Sequence, residues 1–157
     1  MSISEKDLFD ARTAWGNGLI EISETFENEG IEMATSLASD MIDNLYGFNF
    51  GKVLFKPTLS GGSQTFRTTK EGALSYFVGH NPAYPNDSGF GIKFWREINS
   101  DTAATFIDDT VAMWMGWVTF IDRDGKVTKV DKSWGYKLDD VGNLRITLHH
   151  SSLPYEL

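Results

Sequence analysis

The segment VAMWMGWVTFI, residues 111–121, decides the fold class of this chain. Apolar side chains occupy both alternating positions of the segment, which is typical of a strand covered on both faces. The polar turn at 122–125 predicts a hairpin to a return strand over 126–136. A second turn at 139–143 leads to a last strand over 144–152. The C-terminal part of the chain is therefore predicted to be an antiparallel meander.

Shorter elements precede this meander. Residues 53–58 predict a strand that ends next to a proline, which suits a sheet edge because proline cannot donate to a strand ladder. Residues 68–77 predict a short capped helix, and a loop rich in proline and asparagine follows it. Two further strands are predicted over 90–98 and 103–107, separated by the polar triplet Asn99-Ser100-Asp101.

The N-terminal region has the apolar period of helices. Ser4 and Asp7 suit a helix start, and a second apolar stripe runs over 31–45. Gly16 and Gly18 fall inside the first helix, where small residues let another element approach closely. The first stripe comprises Leu8, Trp15, Leu19, Ile22 and Phe26. Helices followed by a meander predict an α+β fold, with the helices packed on a strongly curved, mostly antiparallel sheet.

Composition restricts the possible partners. The 157 residues carry 14 Lys and Arg against 22 Asp and Glu, a formal net charge of −8, and the cations are scattered singly. This argues against nucleic acid and anionic membranes as partners. The chain has no cysteine, which excludes disulfides and cysteine-ligated metals. With no apolar run of ~20 residues and no secretory signal, we expect one cytoplasmic domain over 1–157.

The densest polar cluster is His149-His150-Ser151-Ser152, at the end of the last predicted strand. Alternation divides that strand into a polar face with Arg145, Thr147, His149 and Ser151, and an opposite face with Leu144, Ile146, Leu148, His150 and Ser152. Adjacent histidines on opposite faces rarely ligate one ion, and a three-histidine zinc site would also need His80. Structural histidines are therefore the favoured interpretation, and a Ser-His-acid triad is disfavoured because strand spacing separates His149 from Ser151 by about 6–7 Å.

Six ordered segments together carry a resemblance to a known family. They are Phe55-Lys56-Pro57-Thr58, Gln64-Thr65-Phe66-Arg67, Ala73-Leu74-Ser75-Tyr76-Phe77, Asp87-Ser88-Gly89-Phe90-Gly91, Met115-Gly116-Trp117 and His149-His150-Ser151-Ser152-Leu153-Pro154-Tyr155. This set resembles the iota class of carbonic anhydrases, most closely the compact bacterial and algal branch that works without a metal. The last segment is also similar to relatives of the calmodulin-dependent kinase association domain, so the ordered set is more specific than any one motif. Trp117 departs from the tyrosine expected after Met-Gly.

The resemblance implies a cone-shaped, cystatin-like or SnoaL-like roll that is usually a homodimer. It also implies reversible hydration of CO₂ to bicarbonate with neither a metal nor another cofactor. Carried over by motif, the catalytic and bicarbonate-binding hydroxyls are those of Thr58, Tyr76 and Ser151, with His149 beside them as a proton acceptor or shuttle. From residue type alone, Tyr76 would instead be interpreted as a core tyrosine of its helix.

Two other functions remain open at this point. The first is a non-catalytic association module, because this fold commonly oligomerises and the segment 111–121 is apolar on both faces. The second is a cyclase or isomerase acting on an aromatic small molecule, with a cavity lined by Trp95, Trp114, Trp117 and Trp134. Such an enzyme would need an acid–base carboxylate or histidine deep in the cavity, and the sequence indicates no clear carboxylate.

Overall fold

The structure is a computed structural model that describes residues 2–157. It contains three α-helices and five β-strands. The helices are α1 Glu5–Glu29, α2 Ile31–Leu45 and α3 Lys70–Val78. The strands are β1 Leu54–Lys56, β2 Trp95–Asp108, β3 Val111–Asp122, β4 Val127–Leu138 and β5 Leu144–Ser152. Both predicted N-terminal helices, the short third helix and the C-terminal meander are confirmed.

The five strands form one sheet in the order β1-β5-β4-β3-β2. β1 pairs with β5 in parallel, and the other three pairs are antiparallel. Helices packed on a mostly antiparallel sheet confirm the α+β class. β1 is an edge strand, as the proline that follows it predicted.

Helix α1 runs across the sheet and forms the centre of the core. Ser4 and Asp7 form a reciprocal capping box at its N-terminus, which confirms the predicted start. Both glycines mark close approaches: a Cβ at Gly16 would lie 3.3 Å from Ile98, and one at Gly18 would lie 2.7 Å from the sulfur of Met41. The first glycine therefore lets α1 settle on β2, and the second lets α2 pack against α1.

β2 differs from the prediction of two strands separated by a polar triplet. It is one strand from Trp95 to Asp108, and Asn99-Ser100-Asp101 pairs with β3 within it. A β-bulge at Ala103 accounts for the shift in pairing register between Thr102 and Ala104. Phe90–Ile92 is a buried 3₁₀ turn rather than a strand, because the carbonyls of Phe90 and Gly91 bond to side chains of Trp95 and Ser23. The triplet is polar since its residues lie on an exposed edge strand.

β3 is buried on one face only, so the prediction that both faces are covered is wrong for the described chain. Its inward side chains pack beneath α1, and they include Trp114, Val118 and Phe120. The outward side chains are exposed although they are apolar. They are Val111, Met113, Met115 and Trp117. Periodicity could not reveal this, because an apolar residue on an uncovered face looks the same in sequence as one in the core.

A bulge in β5 changes the predicted division of its faces. Tyr136 on β4 pairs with Ile146 and Gly135 pairs with Leu148, which leaves Thr147 as an extra residue. Ile146 and His149 are consequently both buried, although simple alternation placed them on opposite faces. Beyond the bulge the prediction holds, since His149 and Ser151 point into the core and His150 is exposed.

A buried ion pair fixes the loop that follows α3. The Arg67 guanidinium donates to both carboxylate oxygens of Asp87 at 2.7 Å, and the two side chains are 3% and 5% exposed. The Ser75 hydroxyl on α3 donates to the same carboxylate. The guanidinium also lies 6.0 Å from the ring centroid of Tyr76. The pair therefore holds α3, and with it Tyr76, in a fixed position.

We expect Asp87→Asn to destabilise the fold strongly. Asparagine keeps the shape of the side chain but leaves the Arg67 guanidinium buried without a counter-charge, which typically costs about 3–5 kcal/mol. Urea unfolding followed by circular dichroism measures the change. The control is Asp124→Asn in the exposed turn between β3 and β4, where a change within about 0.5 kcal/mol is expected. Equal stability of the two variants would contradict the structural role of the pair.

Candidate active site

Two side-chain hydroxyls from distant parts of the chain meet at the end of the β1–β5 pair. The Thr58 Oγ1 and Ser151 Oγ atoms are 2.6 Å apart. Parallel pairing sets Lys56 beside His150, so the chain emerging from β1 brings Thr58 alongside Ser151. The Lys56 ammonium donates to the Ser151 carbonyl at 2.7 Å and holds the two strand ends together.

Tyr76 brings a third hydroxyl to the same place from α3. Its oxygen accepts a hydrogen bond from the backbone amide of Leu59, the residue after Thr58, at 3.1 Å. Its ring is stacked on Phe90 at 5.7 Å between centroids. Burial raises the pKa of Tyr76 above its usual range, and hydrogen bonds from the Leu59 amide and the Thr58 hydroxyl offset only part of that effect. The phenol therefore stays protonated at neutral pH and can donate to an anion.

The surroundings of these hydroxyls are mostly aromatic. Phe55 meets the Tyr76 ring edge-on at 6.0 Å, and Phe77 stacks on Phe55 at 5.9 Å. A recess of about 20 Å³ lies against Tyr76, Leu59 and Phe90. A recess of that size holds about one water molecule. Of the three hydroxyl residues, Tyr76 borders this recess, and the polar loop residues Asn86, Asp87 and Ser88 complete its lining.

His149 is fully buried in a separate hydrogen-bond network. Its Nδ1 atom is 2.8 Å from the Tyr46 hydroxyl, and its Nε2 atom is 2.9 Å from the Lys132 ammonium nitrogen. The Phe55 ring stacks on the imidazole at 4.6 Å. Burial first, and then the charges of Lys132 and His150, lower the pKa of His149 well below its usual value. The imidazole is therefore neutral at pH 7, and both of its nitrogens have partners other than Ser151.

Sequence reasoning missed Lys132 and Tyr46. Lys132 lies directly across from Ser151 in the β4–β5 register and is 4% exposed. A signal for it was available: Lys132 shares a strand face with Val130 and Trp134, both of which are inward-facing apolar residues. Tyr46 ends α2 and carried no comparable signal.

The three histidines are not brought together. His80 is exposed and its Nδ1 bonds to a backbone carbonyl, whereas His149 and His150 point to opposite faces of β5. Within residues 2–157, no group of three or more His, Asp or Glu side chains is placed to hold a metal ion. In the same range, no helix is long and apolar enough to cross a membrane.

Comparisons with known proteins agree with this geometry. A family model described as metal-independent carbonic anhydrase matches residues 6–153. A metal-independent carbonic anhydrase from Nostoc sp. (strain PCC 7120 / SAG 25.82 / UTEX 2576) is 49% identical over 155 residues, which cover 99% of this chain and 76% of that protein.

Two solved structures show the same fold. The iota-carbonic anhydrase from a cyanobacterium, complexed with bicarbonate, has a TM-score of 0.98 and 49% identity, covering 99% of this chain and 95% of that one. A calcium/calmodulin-dependent protein kinase II association domain from Xanthomonas campestris has a TM-score of 0.57 at 21% identity, covering 96% and 85%, which supports the fold alone. With the family match over nearly the whole chain, the protein belongs to the metal-independent carbonic anhydrases.

Proposed function

We propose that this protein catalyses the reversible hydration of CO₂ to bicarbonate at the hydroxyls of Thr58, Tyr76 and Ser151. The observation that carries the proposal is the 2.6 Å contact between the Thr58 and Ser151 hydroxyls, with the Tyr76 hydroxyl bound to the amide of the next residue. The membership of the chain in its family supports the same reaction.

Hydration needs a positioned water and donors for the negative charge that develops on oxygen. Hydroxyl groups supply both, because a hydroxyl can accept a hydrogen bond from the water, and one whose hydrogen is not bonded to a neighbouring hydroxyl can donate to the forming bicarbonate. The aromatic walls make such donors stronger than they are in bulk water. Since the pKa of Tyr76 is raised by burial, the phenol is a donor at neutral pH and not the base that takes the proton. Proton removal therefore requires another group.

The cyclase alternative has little support in the packing. Trp114 and Trp134 fill the core against each other at 5.5 Å between ring centroids. The Trp95 indole donates to a backbone carbonyl, and Trp117 lies on the outer face of the sheet beneath the Lys129 ammonium. The four tryptophans therefore do not surround a common ligand cavity.

We further propose that the protein is a homodimer, formed by packing the outer face of β3 on the same face of a second copy. Met113 and Met115 are about half exposed there, and Phe106 on β2 extends the patch. A contiguous exposed apolar patch of this kind marks an interface. A second copy of the chain is a suitable partner for this patch, because a two-fold axis through β3 places the patch against the same patch of the second copy.

We expect Thr58→Val, Tyr76→Phe and Ser151→Ala each to lower the rate of CO₂ hydration by about 10²–10³-fold, since one preorganised donor is lost while the shape is kept. Stopped-flow measurement with a pH indicator gives the rate. Tyr155→Phe removes an exposed hydroxyl and is the matched control. Variants that retain the parent rate would contradict the assignment of these residues, and a parent protein without activity would favour the association module.

Treatment with a chelator should leave the hydration rate of the parent protein unchanged, because the proposed chemistry uses hydroxyl groups. The same stopped-flow assay is run after dialysis against the chelator, and again after adding Mn²⁺ or Zn²⁺. Loss of activity that either ion restores would refute the metal-free mechanism and leave the reaction itself established.

We expect Met115→Lys to convert the dimer to a monomer, because it places a charge in the centre of the proposed interface. Analytical ultracentrifugation measures the mass in solution. Val141→Lys is the control, since Val141 is 77% exposed in a turn away from this face. A Met115→Lys protein that remains dimeric would show that the second copy binds elsewhere.

A further inference from the structure

A chain of four buried polar groups crosses the core behind the proposed hydroxyl site. The Trp15 indole donates to the Tyr46 hydroxyl at 3.0 Å. The same hydroxyl is 2.8 Å from His149 Nδ1, and His149 Nε2 is 2.9 Å from Lys132 Nζ. All four side chains are at most 4% exposed. Polar groups are costly to bury, so a chain this long inside an aromatic core requires a reason.

Lys132 has unusual surroundings for a buried amine. The rings of Trp15, Phe120 and Trp134 have their centroids 4.9, 5.7 and 5.6 Å from its nitrogen. Aromatic faces and an imidazole nitrogen stabilise an ammonium, but burial favours the neutral amine.

Few other charged or titratable groups face Lys132. Asp131, its neighbour on β4, favours the ammonium, and Lys56 on β1 disfavours it. β5 contributes His149, whereas α1 and β3 contribute only the rings of Trp15 and Phe120. Burial is the largest effect and lowers the pKa of Lys132 to about 7. The amine can therefore both take up and release a proton near neutrality.

Counting the hydrogen-bond donors and acceptors indicates two protonation states for this chain of buried polar groups. An indole can only donate, so the Tyr46 oxygen accepts from Trp15 and its hydroxyl hydrogen needs an acceptor. His149 Nδ1 provides that acceptor when its ring proton is on Nε2 and is donated to a neutral Lys132 amine. When Lys132 is an ammonium it donates to Nε2, which places the ring proton on Nδ1. The Tyr46 hydroxyl hydrogen must then point elsewhere.

We propose that Tyr46, His149 and Lys132 form a proton relay for the hydration reaction, with Lys132 as the terminal acceptor. In hydration the water oxygen bonds to the carbon of CO₂, one O–H bond of that water breaks, and bicarbonate and a proton result. Water carries the proton past Phe55, which contacts both Tyr76 and His149, to the Tyr46 oxygen. The tyrosine proton then passes to His149 Nδ1, and the Nε2 proton passes to the neutral amine. Charge and protons balance: one bicarbonate forms and one ammonium forms. The catalytic role rests on the proposed function.

The ammonium can return its proton to solvent through a nearby groove. Two rings that flank Lys132, those of Trp15 and Trp134, also line a groove of about 260 Å³ between α1 and β2. The Trp15 and Trp134 rings lie 4.9 and 5.6 Å from the nitrogen, so the amine lies directly behind two rings of the groove wall.

The tautomer of His149 tests the relay without measuring activity. The protein for this experiment carries both His80→Gln and His150→Gln and is labelled with ¹⁵N histidine. Its ¹⁵N NMR signals then come from His149 alone, since the chain has three histidines. As the pH falls through about 7, the proton should move from Nε2 to Nδ1 while the ring stays neutral. A single tautomer at every pH, or an imidazolium that forms over the same range, would overturn the relay.

Kinetics test whether the relay serves the reaction. We expect Lys132→Met to lower CO₂ hydration about 100-fold and to remove the rise in rate through pH 7 that accompanies formation of the neutral amine. Lys129→Met on the exposed part of β4 is the control and should keep the parent pH profile. A thermal melt confirms that both variants are folded, and an unchanged rate and profile in Lys132→Met would overturn the proposal. An inactive parent protein would instead refute the proposed function, and the tautomer measurement would still decide the relay.

Discussion

The parallel pairing of β1 with β5 is the constraint on which the site depends. β1 has only three residues, yet its register determines that Thr58 emerges beside Ser151 rather than one strand position away. The Lys56 ammonium reinforces the pairing because it bonds to the Ser151 carbonyl from the neighbouring strand. A shift of β1 by one residue along β5 would turn the side chains of β1 to the opposite faces of the sheet and move Thr58 away from Ser151, and the two hydroxyls would no longer meet.

The bulge at Thr147 is the second determinant of the interior. It lets β5 keep Ile146 in the core and still present His149 and Ser151 inward. Without the extra residue, simple alternation would not allow Ile146, His149 and Ser151 all to point into the interior. The polar groups then fall into two networks: the hydroxyls near α3, and the Tyr46–His149–Lys132 chain beneath α1. Phe55 lies between them, since its ring contacts both His149 and Tyr76.

Much of the secondary structure followed from sequence because local signals marked it. The Ser4 cap, the Thr69 cap of α3 and the last strand over 144–152 lie where the pattern predicted them. Features that depend on pairing were not accessible in this way. No glycine or proline marks the bulge, since its extra residue is Thr147. The uncovered face of β3 is as apolar as the covered one. Composition and spacing did not predict that the three hydroxyls lie close together, whereas the family resemblance did.

A neutral interior explains why the polar groups are of these types. Burial keeps the Tyr76 phenol protonated and the His149 imidazole uncharged, so neither of these two side chains carries a charge before the reaction. Uncharged hydroxyl groups suit CO₂, which is apolar, and their dipoles can stabilise the negative charge that develops on oxygen. In the proposed relay Lys132 becomes charged only as bicarbonate forms, so its attraction for the anion exists only while the lysine holds the proton.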